Sequence, residues 1–189
     1  MLIISHRVNT ITDLINTPLN YGIEVDLRDF NENIILAHDP FTDGVQLMSF
    51  LKFYNHSFII LNIKSERIEY KVLEIIKLYN IKNYFFLDSS IPMINNLIKI
   101  GEKNIAIRYS EYESIETVLN FANKVNYVWV DCFYDYILNN SIFKLLKNSW
   151  YVSLDLYIRS KFSLFFVVFN SFTRSIKSFH GNTIDLFFL

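Results

Sequence analysis

Short apolar runs recur along the chain, and the segments between them carry apolar residues at helical spacing. Runs of this length, rich in β-branched and aromatic residues, are typical of buried strands. The predicted strands are Leu2–Ser5, Gly22–Leu27, Phe58–Ile63, Tyr84–Leu87, Asn104–Arg108, Tyr127–Val130 and Trp150–Ser153. Helices are predicted around Val72, Ile75, Ile76 and Tyr79, around Ile94, Leu97 and Ile98, and around Ile115, Val118, Leu119 and Ala122.

This alternation favours an α/β fold in which a parallel sheet is covered by helices. Ser89 or Ser90 ahead of Pro92, and Ser110 ahead of Glu113, have the chemistry of helix N-termini. The repeated strand–helix units predict one domain over residues 1–189, a (β/α)₈ TIM barrel. The eighth candidate strand, at 164–169, follows the seventh too closely for a crossover helix, so the barrel is predicted to be incomplete or atypical at its C-terminus.

Polar or ionisable residues follow most of the predicted strands. In a (β/α)₈ barrel they would meet at the C-terminal face of the strands, where these folds keep their active sites. The residues concerned are His6, Asn62, Lys64, Asp88, Arg108, Asp131 and Asp155.

Composition narrows the classes of function. A formal net charge of −1 without a basic cluster argues against nucleic-acid binding. The single cysteine, Cys132, cannot form an intrachain disulfide, which favours a cytoplasmic setting, and we interpret it as a small buried hydrophobe rather than a nucleophile. No apolar run approaches the roughly 20 residues of a membrane-spanning helix. Basic and aromatic residues in the stretch 159–177 form either a surface for anionic lipid or an atypical terminus that packs where it can.

Two carboxylates stand out in the second predicted strand. Glu24 and Asp26 are two residues apart, so both leave the same face of the strand and repel each other unless a cation lies between them. Hard divalent ions such as Mg²⁺ or Ca²⁺ prefer carboxylate oxygens. The pair is therefore a candidate half-shell of a metal site, and His6 and His38 are candidate acid–base groups.

Four motifs in order resemble the glycerophosphodiester phosphodiesterase family, whose usual N-terminal pattern is HRG, ENT, ExD and HD. The matching residues are His6-Arg7, Asn16-Thr17-Pro18, Glu24-Val25-Asp26 and His38-Asp39. The later stretches LNIKSE, FFLDSSIP, RYSEYE and VWVDCF are similar to a bacterial branch of this family associated with surface-glycan loci. The resemblance covers about residues 3–155 and leaves an atypical tail at 156–189.

The resemblance implies a TIM-barrel phosphodiesterase that uses one divalent cation, Mg²⁺ or Ca²⁺, to hydrolyse a glycerophosphodiester, or a related phosphodiester of a surface polymer, to glycerol 3-phosphate and an alcohol. A neighbouring hydroxyl of the substrate would attack first and give a cyclic phosphate that water then opens. Carried over by position, the metal ligands would be Glu24, Asp26 and Asn62, the general acid and base His6 and His38, and the phosphate- or substrate-binding residues Arg7, Lys64, Arg108 and Asp131.

This chain departs from the family pattern at several positions. Val8 replaces the usual glycine after HR, and Ile15 stands where ENT would begin. Asn62 occupies the place of a third metal-binding glutamate, which gives the site one negative charge fewer and predicts weaker metal binding. The segment VSLDL at 152–156 resembles a family segment that reads VSPEL.

Other interpretations remain open from the sequence. The chain could be a degenerate, non-catalytic barrel that binds a phosphorylated ligand, or a phospholipase-D-like lyase. His38-Asp39 could belong to a helical metal-dependent phosphohydrolase, and Arg108 could form a structural ion-pair cluster with Glu111 and Glu113 instead of touching substrate. His56 and His180 are expected at the surface. A homodimer is expected because an incomplete barrel would expose sheet edges.

Overall fold

The computed structural model describes residues 2–134, 140–147, 151–155 and 164–168. Within these ranges the chain is a mixed α/β protein, as predicted. Its strands are β1 Leu2–Ser5, β2 Gly22–Phe30, β3 Asn33–Leu36, β4 Val45–Gln46, β5 Ile59–Ile63, β6 Tyr84–Leu87, β7 Ala106–Tyr109, β8 Tyr127–Val130, β9 Tyr151–Asp155 and β10 Leu164–Val168. Its helices are α1 Ile11–Asn16, α2 Leu47–Leu51, α3 Glu69–Leu78, α4 Ile91–Lys99, α5 Ile115–Leu119 and α6 Asn140–Lys147.

Most of the sheet is parallel. β1 pairs with β2, β2 with β5, and β5 with β6, all in parallel, and so do β7 with β8 and β8 with β9. A single parallel bridge between Phe86 and Ile105 connects β6 to the residue that precedes β7. The carboxyl ends of these strands therefore lie at one edge of the sheet.

The eighth predicted strand is present as β10, but it runs antiparallel to both of its neighbours, β9 and β1. A parallel connection needs a crossover of a dozen or more residues, and the stretch between Asp155 and Leu164 is shorter than that. With β10 in place, the strand pairings lead from β1 through β2, β5, β6, β7, β8, β9 and β10 back to β1. His180 and most of the basic stretch 159–177 lie outside the described residues.

A hairpin that the sequence did not predict extends β2. Asn31 and Glu32 both have positive φ angles, of 46° and 64°, which is the backbone of a two-residue turn that matches the twist of paired strands. β3 follows this turn antiparallel to β2, and β4 adds to β3. The chain from 37 to 44 connects β3 to β4 and carries His38 and Asp39.

The two faces of the sheet carry separate apolar clusters. On β2, Ile23, Val25 and Leu27 belong to the larger cluster, which also contains the buried faces of the helices. The smaller cluster is formed by Ile4, Phe58, Ile60, Phe85, Leu87, Ala106, Tyr127 and Trp129. Side chains alternate along a strand, so Asn62 and Lys64 share a face of β5 with Ile60 of the smaller cluster. The candidate site therefore lies on the face opposite the helices.

The helix starts agree with the sequence at one of the two predicted places. Ser90 caps α4, where its hydroxyl accepts the Met93 N–H, and Pro92 lies in the first turn. α5 instead begins after Ser114, whose hydroxyl accepts the Thr117 N–H, so the prediction of a helix start at Ser110 was wrong. Ser110 lies in the preceding turn and contacts the Glu113 carboxylate. Among the described residues, no helix has the length and apolar character needed to cross a membrane.

Candidate functional site

β2 places Glu24 and Asp26 side by side on the inner face of the sheet, and both side chains are fully buried. In the parallel pairing of β2 with β5, Asp26 lies opposite Asn62. The Asn62 side-chain amide donates a 2.7 Å hydrogen bond to Oε1 of Glu24. The three residues predicted as metal ligands are therefore adjacent.

The loop after β1 closes over these carboxylates. Arg7 has a left-handed backbone, with φ of 53°, and its N–H donates to Oε2 of Glu24 at 2.7 Å. The next residue, Val8, donates its N–H to the Glu24 carbonyl and is buried in the larger apolar cluster. A valine is thus accommodated where the family has glycine.

Asn9 makes two hydrogen bonds to Asp26, a role that was not predicted from the sequence. Its side-chain amide donates to Oδ2 of Asp26 at 2.8 Å, and its side-chain oxygen accepts the Asp26 N–H at 2.9 Å. An amide makes both bonds because it carries a donor and an acceptor. Its place three residues after His6 is the only sequence signal for this role.

Two buried oxygen atoms at the centre of the site have no hydrogen-bond donor in the described part of the chain: Oδ1 of Asp26 and Oδ1 of Asn62. Nζ of Lys64 lies 3.6 Å from Oδ1 of Asp26. Buried polar atoms are rarely left unsatisfied, because losing their hydration costs free energy. A hard cation would satisfy both oxygens, so these residues fit an Mg²⁺ or Ca²⁺ ion. No group of three or more His, Cys, Asp or Glu side chains suited to metal binding occurs within the described ranges.

The environment shifts the proton affinities of Glu24 and His6 in opposite directions. Burial, and secondly the charge of Asp26, raise the pKa of Glu24 to about 7, against the opposing hydrogen bonds from Asn62 and Arg7. Burial, and secondly the charge of Arg7, lower the pKa of His6 to about 4. Nε2 of His6 lies 3.6 Å from Oε2 of Glu24. Without a metal ion, a neutral imidazole beside a protonated carboxyl is therefore favoured between these two values.

His38 lies in the loop after β3, which excludes the interpretation of His38-Asp39 as a helical phosphohydrolase pair. Nη2 of Arg7 lies 2.8 Å from Nε2 of His38, and Nδ1 of His38 lies 2.8 Å from Oδ1 of Asp39. Guanidinium groups only donate, so Nε2 is the acceptor and Nδ1 carries the proton that Asp39 accepts. The hydrogen-bond network thus assigns the imidazole one tautomer.

A chain of ion pairs extends from Asp26 along the strand ends. Lys64 Nζ lies 3.2 Å from Oδ2 of Asp88, and the other oxygen of Asp88 pairs with Arg108. Arg108 also pairs with Asp131 at 2.9 Å. Asp88 has a positive φ of 63°. From the sequence, Asp88 was predicted only as one of the polar residues that follow a strand.

Arg108 is therefore part of an ion-pair cluster, and the partners the structure gives it are Asp88 and Asp131. The Glu111 carboxylate accepts the N–H groups of Phe133 and Tyr134, and the Glu113 carboxylate accepts the Ser110 hydroxyl. Burial raises the pKa of Asp131, and Arg108 opposes this shift. The structure places Arg108 and Asp131 at the far end of the chain of charges that starts at Asp26.

The structure contradicts the expectation for His56 and agrees with the one for Cys132. His56 is buried, so its predicted surface position was wrong, and its Nε2–H donates to the Thr17 carbonyl at 3.0 Å. Cys132 packs partly buried against the larger apolar cluster, as expected of a small hydrophobe.

No protein-family model, no curated protein and no solved structure matches the chain. Membership of the glycerophosphodiester phosphodiesterase family therefore stays a prediction from the ordered motifs.

Proposed function

We propose that the chain is a metal-dependent phosphodiesterase that hydrolyses a glycerophosphodiester, or a related phosphodiester of a surface polymer, to glycerol 3-phosphate and an alcohol. The observation that carries the proposal is the pair of fully buried carboxylates, Glu24 and Asp26, in which Oδ1 of Asp26, like Oδ1 of the adjacent Asn62, has no hydrogen-bond donor among the described residues. Burying carboxylates in this way costs stability unless a cation joins them, and such costs concentrate at functional sites.

In this proposal Glu24, Asp26 and Asn62 hold one Mg²⁺ or Ca²⁺ ion. When bound, the ion would polarise the phosphoryl oxygens and offset the negative charge that develops on them. The ion would also offset the charge of Asp26, because the nearby cation Lys64 is shared between Asp26 and Asp88.

Lys64 and Arg7 are the proposed phosphate-binding cations, because Nζ of Lys64 lies 3.6 Å from Oδ1 of Asp26 and the Arg7 guanidinium contacts the candidate acid–base residue His38. His6 is placed to accept the proton of the attacking hydroxyl, because its Nε2 lies 3.6 Å from Oε2 of Glu24, beside the proposed metal ion. When Arg7 turns from Nε2 of His38 to the phosphate, Nε2 is free to take up a proton from water, and the imidazolium, stabilised by Asp39, then returns this proton to the departing alcohol oxygen. The bond from the substrate's neighbouring hydroxyl oxygen to phosphorus forms as the bond to the alcohol breaks, and water then opens the resulting cyclic phosphate to give glycerol 3-phosphate.

The proposed scaffold is a (β/α)₈ barrel whose last unit is atypical. The strand pairings that return to β1 support this interpretation, as does the position of the site at the carboxyl ends of the parallel strands. A cytoplasmic location is part of the proposal and rests on the single cysteine.

Metal binding can be tested without a known substrate. Saturating Mg²⁺ or Ca²⁺, at a hundred times the dissociation constant, should stabilise the folded protein by ~2.7 kcal/mol and raise the midpoint of thermal unfolding by roughly 5 to 10 °C. Asp26→Asn should lose most of this shift. Asp29→Asn is the matched control, because Asp29 lies exposed on the same strand and should keep the full shift.

Activity is then tested with a glycerophosphodiester such as glycerophosphocholine, with His38→Ala as the variant. We expect glycerol 3-phosphate as the product and a loss of at least ~100-fold in kcat for the variant. A cyclic phosphate as final product would instead identify a lyase. A cooperative transition that responds to neither metal would favour a non-catalytic protein.

A further inference from the structure

Arg28 is the third inward-facing residue in the row that begins with Glu24 and Asp26 on β2. Its guanidinium donates three hydrogen bonds to main-chain carbonyls. Nε and Nη2 donate to the carbonyl of His38 at 3.1 and 2.9 Å, and Nη1 donates to the carbonyl of Lys64 at 3.0 Å. One side chain therefore joins the segment that carries a candidate acid–base residue to the segment that carries a candidate phosphate-binding residue.

The segment around His38 has little other support from the core. Ala37 donates its N–H to the Asp26 carbonyl at 3.0 Å, but Asp39, Pro40 and Phe41 are all exposed. The end of β5 is held by the Lys64 N–H, which donates to the Leu27 carbonyl at 2.9 Å. The hydrogen bonds from Arg28 to the His38 carbonyl therefore hold the backbone in place where the chain leaves β3.

We propose that Arg28 is a positioning residue that sets the orientation of the His38 imidazole relative to Lys64. This inference rests on the proposed function, in which these two residues serve the same phosphodiester. The fixed carbonyl of His38 holds the backbone where Nε2 can accept from Arg7 while Nδ1 donates to Asp39. The planar guanidinium of Arg28 carries donors on several sides and so reaches the carbonyls of His38 and Lys64 at once. The ammonium group of a lysine lacks that geometry.

A purely structural brace would behave differently. Its loss would lower stability and leave the ring of His38 with the same tautomer and the enzyme with the same kcat. Loss of a positioning residue frees the loop, so that Arg7 and Asp39 no longer hold the imidazole from both sides. We then expect both neutral tautomers of His38 to be populated, and kcat to fall while KM changes little.

The experiment compares Arg28→Lys with the parent and with Arg67→Lys, a matched control at an exposed arginine. Nitrogen NMR of the imidazole should give a single Nδ1–H tautomer for His38 in the parent and in Arg67→Lys, and an averaged pair of tautomers in Arg28→Lys. With glycerophosphocholine as the probe, kcat should fall at least ~10-fold in Arg28→Lys, with KM within ~2-fold. The metal-induced shift in unfolding midpoint should remain.

An unchanged His38 tautomer in a folded Arg28→Lys protein would overturn the inference. If the parent neither binds metal nor cleaves the probe, the proposed function fails, and the tautomer measurement still decides the role of Arg28. If Arg28→Lys does not fold, a measurement on the parent protein alone tests the inference. The Nε–H of Arg28 should exchange with water at least ~10-fold more slowly than that of Arg67, because a carbonyl accepts it, and equal rates would overturn the inference.

Discussion

At the scale of single residues, the site reverses the usual order of the pKa values of a glutamate and a histidine. An exposed glutamate titrates well below an exposed histidine, whereas here the pKa of Glu24 is raised to about 7 and that of His6 is lowered to about 4. Burial is the first cause of both shifts, because it disfavours whichever form is charged. Burial of these two groups therefore lowers the free energy of unfolding of the metal-free protein at pH 7. Local costs of this kind are common at functional sites.

The lowered pKa of His6 predicts a pH-dependent difference in stability between the parent and His6→Gln. As the pH falls below 6.5, the unfolded chain takes up a proton on His6, whereas the folded protein resists protonation until about pH 4. The parent should therefore lose stability relative to His6→Gln across this window, and the difference should level off below it. Urea unfolding of both proteins in metal-free buffer measures the difference, and a value independent of pH would contradict the prediction.

The sequence predicted the residues of the site that follow a regular spacing. Glu24 and Asp26 were found because side chains alternate along strands, and Asn62 was found because it occupies the place of a metal-binding glutamate in the family that the motifs resemble. Asn9 and Arg28 were not found, because their partners lie in other segments: Asn9 brackets Asp26, and Arg28 bonds to main-chain carbonyls that could belong to any residue type. Contacts of this kind depend on where the backbone passes, which a sequence pattern does not specify.

At the scale of elements, the strands with continuous apolar runs were predicted well and the short ones were missed. β6 and β8 have the predicted bounds. β3 was missed because its apolar residues follow β2 after only two turn residues, Asn31 and Glu32, whose left-handed backbone gives no strong signal without glycine. β4 has two residues, and α1 and α2 are too short for a helical period to emerge.

Close packing between β1, β2 and β5 gives a prediction at this scale. A Cβ on Gly22 would overlap Cδ1 of Ile4 and lie 3.1 Å from Cβ of Phe58. Gly22→Ala should therefore cost about 1 to 3 kcal/mol of stability. Ile4→Val removes Cδ1 and should cost about 0.5 to 1.5 kcal/mol alone.

The double variant isolates the overlap. If Ile4 is the obstacle, Gly22→Ala should cost at least ~0.5 kcal/mol less in the Ile4→Val background, a coupling that denaturant unfolding of the four proteins would measure. Additive costs would show that Ile4 yields without strain and that the contact with Phe58 dominates.

At the scale of the whole molecule, β10 determines whether β1 and β9 have open edges. β1 and β9 both pair with it, antiparallel, so it occupies the place that an eighth parallel strand would take in a regular (β/α)₈ barrel. An antiparallel strand needs no crossover helix, which explains how a short connection can still supply a partner for both neighbours. The expectation of an incomplete barrel followed from counting strand–helix units, and such counting does not consider a reversed strand.

The role of β10 predicts the outcome of truncation. A chain that ends at residue 155 leaves one side of β1 and one side of β9 without hydrogen-bond partners, and exposed edges of this kind pair with other chains. Compared with a control chain that ends at residue 168 and keeps β10, it should unfold at a lower midpoint and self-associate, as measured by thermal unfolding and light scattering. The full chain measured alongside tests the expected homodimer, because a monomeric mass would mean that its edges are covered from within. If the chain ending at 155 matched the control in midpoint and mass, β10 would contribute nothing to the sheet, and the proposed barrel would have to close without it.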